Sequence, residues 1–151
     1  AYRKCIHVEP NYHKAYNNIG ELYRQKGLLD YAAMVFKMAT EIQPQQAHYH
    51  YNLGITYMEI GMLPLAEKAM LAAFELDESD IDITTELAQI QFHLAKYELA
   101  TRTLTRFLEV ATEHDRAPEI KARLTMLQRK MEEEEREKGR EIDGEETKEI
   151  E

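Results

Sequence analysis

Six histidines and one cysteine are the side chains of this sequence that could ligate a metal or act as acid, base or nucleophile. Such chemistry needs these groups at spacings that bring them together on one face of an element. His48 and His50 are two residues apart, which places them on different faces of a helix. The sequence contains no HExxH motif, Cys/His cluster, nucleophile elbow or glycine-rich phosphate loop. It therefore predicts neither an enzyme nor a protein that needs a cofactor or a metal.

A repeat of 34 residues runs through the sequence and is its main organising feature. Small side chains recur at this offset, in the two series Gly20, Gly54, Ala88 and Ala32, Ala66, Ala100. Larger side chains keep the same register, in the two series Ile19, Leu53, Leu87 and Phe36, Met70, Leu104. Small residues at fixed places let two helices pack closely, and larger ones there would cost roughly 1–3 kcal/mol through overpacking. The pattern therefore predicts paired helices that stack on one another.

The order of residue types within one repeat resembles the tetratricopeptide family, whose repeat has the same length. The first unit carries the matching residues Tyr16, Ile19-Gly20, Tyr23, Ala32, Phe36 and Pro44. The second unit follows this pattern closely, whereas the third is recognised only by its register. The resemblance implies an all-α fold, an α-solenoid of helix-turn-helix hairpins in which Gly27 and Gly61 end the first helices.

This resemblance also sets the expected organisation of the chain. We expect helices at 13–26, 30–42, 47–60, 64–76, 81–94 and 98–111. The full repeats span 11–44, 45–78 and, in divergent form, 79–112, and residues 1–10 form the second helix of a truncated repeat. A capping helix over 113–138 carries the apolar stripe Ile120, Leu124, Leu127 and Met131. An acidic tail over 139–151 is expected to be disordered.

The formal charge of −9 lies mostly at the C-terminal end of the sequence. Residues 132–151 contain 11 acidic and 4 basic side chains, so the body before them carries a charge of only about −2. A near-neutral body with an acidic end lacks the basic surface that binds nucleic acid or anionic membranes. No apolar run is long enough to span a membrane. No signal peptide is visible, which favours the cytoplasm unless a leader has been removed.

The resemblance further implies where a partner would bind, because the first helix of each hairpin lines the concave side of such stacks. The partner is expected to be a protein or a peptide. It would be held by the groove residues Lys14, Asn17, Asn18, Glu21, Arg24, His48, Tyr51, Asn52, Ile55, Met58, Gln89 and Phe92. Asn18 and Asn52 occupy equivalent places, and asparagines there bind the main chain of an extended peptide in related superhelices. Asparagine is also common at this place in repeats without that role, and Glu86 interrupts the series.

The same wall carries four apolar side chains, Tyr51, Ile55, Met58 and Phe92. Their presence allows two interpretations. If they face solvent, they form a patch that a helix or strand of a partner would cover. Alternatively, the final helix or an N-terminal element of the chain covers them.

The wall lacks the basic residues with which a chaperone-binding subgroup of the family grips a C-terminal carboxylate. The matching places hold Asn17, Glu21, Asn52, Asp82 and Glu86. Carboxylates at these places would repel a carboxylate ligand. We therefore do not expect the tail of an Hsp70 or Hsp90 chaperone to be the partner.

The functional hypothesis is therefore a scaffold that binds a partner protein as part of a larger protein or assembly, and two alternatives stay open. One is a homo-oligomeric building block without a separate partner, and the other is a regulatory arm of an enzyme whose catalytic domain lies elsewhere. Tyr2 and Cys5 fall where Phe36 and Ala39 fall one repeat later. The helix over 1–9 would then leave an apolar flank, through which the chain could self-associate.

Overall fold

The computed structural model describes residues 12–146, and this part of the chain consists of helices joined by short turns, without strands. Its helices are α1 (Tyr12–Gln25), α2 (Leu29–Ile42), α3 (Ala47–Ile60), α4 (Leu63–Leu76), α5 (Ile81–His93), α6 (Tyr97–Val110) and α7 (Ala117–Glu146). Consecutive helices pair into the hairpins α1–α2, α3–α4 and α5–α6, and each hairpin packs on the next. The predicted all-α solenoid is confirmed. The helix expected over 1–10 lies outside the described residues.

The turns inside the hairpins depend on a left-handed residue at the same place in each repeat. Gly27 and Gly61 have φ angles of 74° and 92°, which are accessible to glycine without a steric penalty. The third hairpin has Ala95 at this place, with a φ of 56°. Lys96 N still donates to Gln91 O at 2.8 Å, as in the other two turns. The third repeat therefore keeps the turn at a cost of roughly 1–2 kcal/mol of backbone strain.

The recurring small residues lie where the two helices of a hairpin meet. A methyl group at Gly20 would lie 2.7 Å from ring carbons of Phe36, closer than real contacts allow. At Gly54 the nearest atom would be Cε of Met70, at 2.9 Å. The glycines therefore admit one large side chain of the following helix, and at Gly54 the backbone of that helix also comes within 3.4 Å of the added methyl group. Ala32, Ala66 and Ala100 are completely buried on the opposite side.

Helix α7 packs on the third hairpin along the apolar stripe read from the sequence. Ile120 and Leu127 are buried together with Leu104 and Phe107, and Leu124 is partly buried against this cluster. The chain turns into α7 at Ala117, whose N–H donates to His114 O at 2.8 Å. Pro118 then occupies the first turn, where its missing N–H costs nothing.

The end of α7 differs from the prediction of a helix over 113–138 followed by a disordered tail over 139–151. The helix continues through Gly139 and Gly144 to Glu146, so the prediction of disorder is wrong for 139–146. Residues 147–151 lie outside the described part. Helix-favouring Glu, Lys and Arg dominate this segment, and Glu132–Arg136 and Glu134–Lys138 are spaced i, i+4. These local preferences offset the roughly 1 kcal/mol that each glycine costs.

Candidate binding groove

The groove predicted from the sequence lies on the first helices of the hairpins, α1, α3 and α5. Its polar centre joins the first two of these helices. Asn52 Nδ2 donates to Asn17 Oδ1 at 3.0 Å, and Asn17 Nδ2 donates to Glu21 Oε1 at 3.2 Å. Asn17 is buried, with 6% of its surface exposed, so its amide is committed to this network. The hydrogen bond from Asn52 to Asn17 joins α3 to α1.

Asn18 and Asn52 have different surroundings although their places in the repeat are equivalent. Asn18 is exposed on α1, with its amide next to solvent. Asn52 is half-buried and also reaches Glu21 Oε1 at 3.5 Å. The sequence pattern alone does not distinguish these two side chains, because the difference comes from Asn17 and Glu21 on the neighbouring helix.

Charged side chains at the edge of the groove pair across adjacent hairpins. Arg24 Nη1 lies 3.2 Å from Glu59 Oε1, and both side chains are partly exposed. A surface pair of this kind contributes about 0–1 kcal/mol, so it orients the two side chains more than it stabilises the fold. Lys14 and His48 are exposed at the opposite, N-terminal ends of the same two helices.

The apolar residues of the wall do not form one exposed patch. Tyr51, Ile55 and Met58 are partly buried, because they pack against the cluster that includes Ile83 and Leu87 of α5. Phe92 is different, with 41% of its surface exposed. The interpretation that the final helix covers the wall is therefore wrong for the first three, which the next hairpin covers. Gln89 is exposed one turn before Phe92.

Carboxylates dominate the middle of the groove. Burial raises the pKa of Glu86 above its ordinary value, with nearby Asp82 adding to the effect and Arg123 opposing it. The pKa of the Tyr51 phenol is raised as well, first by burial and then by Glu86 and Asp82. Tyr51 also contributes to a polar cavity of about 400 Å³, lined in part by His48, Asp77, Asp80 and Asp82. An anion entering this region would meet negative charge.

Helix α7 adds candidate groove residues that the sequence did not suggest. Continuing the 34-residue offset from Asp82, Gln89 and Phe92 leads to Arg116, Arg123 and Met126. Arg116 Nη1 lies 3.4 Å from Asp82 Oδ1, the equivalent place in the preceding repeat. The signal was present in the sequence, since one more step of the repeat would have shown it. The apolar stripe of α7 indicated only that this helix packs on the last hairpin.

A pocket of about 280 Å³ opens where α5, α6 and α7 meet, at the C-terminal end of the groove. Its lining consists of Ala88, Gln89, Phe92, Leu104, Arg123, Met126 and Leu127. Most of these side chains are apolar, and only Gln89 and Arg123 offer polar atoms. The pocket can therefore accommodate an apolar group.

Residues 12–146 contain neither a cluster of metal-ligating side chains nor a helix that could span a membrane. Nowhere in that range do three or more His, Cys, Asp or Glu side chains come together in a group that could hold a metal ion. None of the helices described there is long and apolar enough to cross a membrane.

The sequence matches known families over its first two described hairpins. Residues 20–61 match the family described as TPR repeat, and residues 47–80 match the family described as Tetratricopeptide repeat. A search of curated proteins gave no match.

Solved structures share the architecture of the chain at low sequence identity. The first TPR of Spaghetti (RPAP3), bound to the HSP90 peptide SRMEEVD, has a TM-score of 0.66 and 19% identity, covering 82% of this chain and 98% of that one. MamA has a TM-score of 0.70 and 23% identity, covering 82% of this chain and 66% of that one. The Sgt2 TPR domain from Aspergillus fumigatus has a TM-score of 0.67 and 21% identity, covering 82% of each chain. These likenesses concern the fold.

Proposed function

Because this chain is a tetratricopeptide repeat protein, we propose that it is a protein-interaction scaffold that holds a peptide or a helix of a partner in its concave groove. The observation that carries the proposal is the common register of the first helices α1, α3 and α5. Their equivalent side chains face one surface, and the network of Asn17, Glu21 and Asn52 holds two of these helices in place. A surface of this kind can bind an extended segment without catalysing a reaction. The proposal therefore includes no catalytic role.

The groove residues divide into two groups by what they offer a partner. Three groove residues are exposed, and they are Asn18, Lys14 and Gln89. Their side chains can replace hydrogen bonds to water with hydrogen bonds to the main chain of a partner. Asn17, Asn52 and Glu21 act indirectly, because their hydrogen bonds shape the wall. Tyr51, Ile55 and Met58 present only part of their surfaces, whereas Arg24 and His48 supply polar groups at the edge.

The partner is not expected to carry an acidic C-terminus at the centre of this groove. The first TPR of Spaghetti binds an HSP90 peptide that ends in the residues EEVD. In the present chain Asp82 and Glu86 lie in the wall, and burial raises the pKa of Glu86 because its charge is poorly solvated. A carboxylate brought next to them would be repelled. This disfavours the chaperone tail and favours a segment bound through its main chain and apolar side chains.

Affinity capture with the full chain tests the proposal. The wild type should recover a partner from cells that contain it, and Asn18→Ala should reduce the recovery, since this exposed side chain makes little contribution to folding. Gln128→Ala, an exposed amide on α7, is the matched control and should recover as much partner as the wild type. Equal recovery with Asn18→Ala, Asn52→Ala and wild type would remove the assignment of the groove.

A second candidate, self-association through the N-terminal end, is favoured by one specific observation. Ile19 and Leu22 are 41% and 56% exposed, whereas Leu53 and Thr56, their equivalents in the second repeat, are 7% and 0% exposed. A second copy could cover this face of α1. Light scattering at high concentration should then give a mass above the monomer that Leu22→Asp reduces. Leu71→Asp, at a residue 41% exposed on α4, is the control. A monomeric mass for the wild type would exclude this candidate.

A further inference from the structure

The pocket at the C-terminal end of the groove is formed only because α7 continues the repeat register of α5. Phe92 on α5 and Met126 on α7 are 34 residues apart, and their side chains form two of its walls. Both side chains are unusually accessible for their type, with 41% and 69% of their surfaces exposed. The pocket therefore lies in line with the groove and opens toward solvent.

The lining of the pocket favours an apolar occupant. Ala88, Leu104 and Leu127 form its floor with almost no exposed surface of their own. A polar group inserted there would lose its hydrogen bonds to water and form few with the protein, which is unfavourable. An aliphatic or aromatic side chain would instead remove apolar surface from water on both molecules.

The charges at the rim distinguish an internal side chain from a C-terminal carboxylate. Arg123 is the one charged residue that lines the pocket, and it lies 3.3 Å from Glu119, which also pairs with Arg116 at 2.9 Å. Glu86 also faces Arg123. Two carboxylates, Glu119 and Glu86, thus face the one guanidinium group of the lining, so its positive charge is already compensated and is not free for an acidic chain end.

We propose that this pocket binds one large apolar side chain, Leu, Met or Phe, from within a segment of the partner protein. The proposal rests on the function proposed above and adds to it the chemistry of the partner. The apolar side chain anchors the segment at α5 and α7, while its main chain continues along α3 and α1. A carboxylate terminus is disfavoured at this end because Glu86 and Glu119 already compensate the charge of Arg123.

The test uses the full chain and a library of random peptides displayed internally, without a free C-terminus. Selected peptides should share one position occupied by Leu, Met or Phe. Met126→Asp should weaken their binding about tenfold or more, because it removes apolar area from the pocket and adds a charge that the bound apolar side chain would desolvate. Met34→Asp, at a methionine 54% exposed on α2, is the matched control and should leave binding unchanged.

The outcomes separate this inference from the proposed function. Peptides that bind equally well to Met126→Asp but are lost with Asn18→Ala would overturn the pocket and leave the groove in place. A selection that returns no binding peptide would overturn both. If Met126→Asp converts a dimer of the protein into a monomer, the pocket is occupied by a second copy and the proposed partner chemistry is wrong.

Discussion

The hydroxyl group of Thr103 donates a 2.9 Å hydrogen bond to Gln91 Oε1 inside the third hairpin. Both residues are buried, with 6% and 3% of their surfaces exposed. Tyr57 and Ala69 hold the equivalent places in the second repeat. In the third repeat, two polar residues that hydrogen-bond to each other have therefore replaced an aromatic residue and a small apolar residue.

Thr103→Val is expected to lower the free energy of unfolding by about 1–3 kcal/mol, because it leaves Gln91 Oε1 buried without a donor. Urea unfolding of the full chain would measure this change. Thr105→Val, at an exposed place on the same helix, should change stability by less than about 0.5 kcal/mol. The double variant Gln91→Leu/Thr103→Val should recover part of the loss, and an equal effect of the two threonine variants would contradict the argument.

Ala95→Gly is expected to raise the free energy of unfolding by about 1 kcal/mol, since glycine adopts the positive φ of this turn without strain. Thermal unfolding followed by circular dichroism measures the gain. Ala122→Gly makes the same substitution at an exposed place inside α7 and should instead cost about 0.5–1 kcal/mol. Two losses of similar size would show that the turn at Ala95 is not strained.

Gly20→Ala is expected to destabilise the chain by about 1–3 kcal/mol, because the added methyl group would overlap the ring of Phe36. Denaturant unfolding would detect the loss, and adding Phe36→Leu should recover part of it by making room. Gly139→Ala is the control, since no atom lies near its added methyl group, and it should stabilise α7 by up to about 1 kcal/mol. A neutral Gly20→Ala would contradict the close packing of the first hairpin.

Glu86→Gln is expected to stabilise the chain at neutral pH and to have little effect at pH values well below the ordinary pKa of glutamate. Burial raises the pKa of Glu86 in the folded state, so folding becomes less favourable as the pH rises through the unfolded and then the folded pKa. Unfolding by urea at neutral and at acidic pH would measure both differences. A stabilisation that is the same at both pH values would rule out ionisation of Glu86 as its cause.

The sequence predicted the six repeat helices to within one residue at each end, and the reason lies in particular residues. Gly27 and Gly61 mark the ends of α1 and α3, and the repeat carries these boundaries into α5 despite Ala95. The bonding of Asn52 to Asn17 was not predictable in the same way, because it depends on contacts between repeats. Whether these groove residues bind a partner stays a prediction.

The extension of α7 was missed for a related reason. Apolar periodicity identifies a helix only where its apolar face is buried, and the side chains of residues 132–142 are mostly charged and mostly exposed. Helix there depends on local propensity, which a search for apolar stripes does not register. For the same reason the sequence did not point to Arg123 and Met126, the α7 residues of the pocket, because neither belongs to the buried apolar stripe.

The length of α7 has a consequence for how copies of this protein meet. A helix of 30 residues is about 45 Å long, roughly twice the length of α6 beside it, so its acidic half reaches beyond the last hairpin. Two molecules that approach by this end would bring like-charged arms together, and the repulsion would keep them apart at low ionic strength. At physiological salt, screening over about 8 Å would shorten its reach to near contact. The repulsion would then oppose close contact between two such ends without steering molecules from a distance.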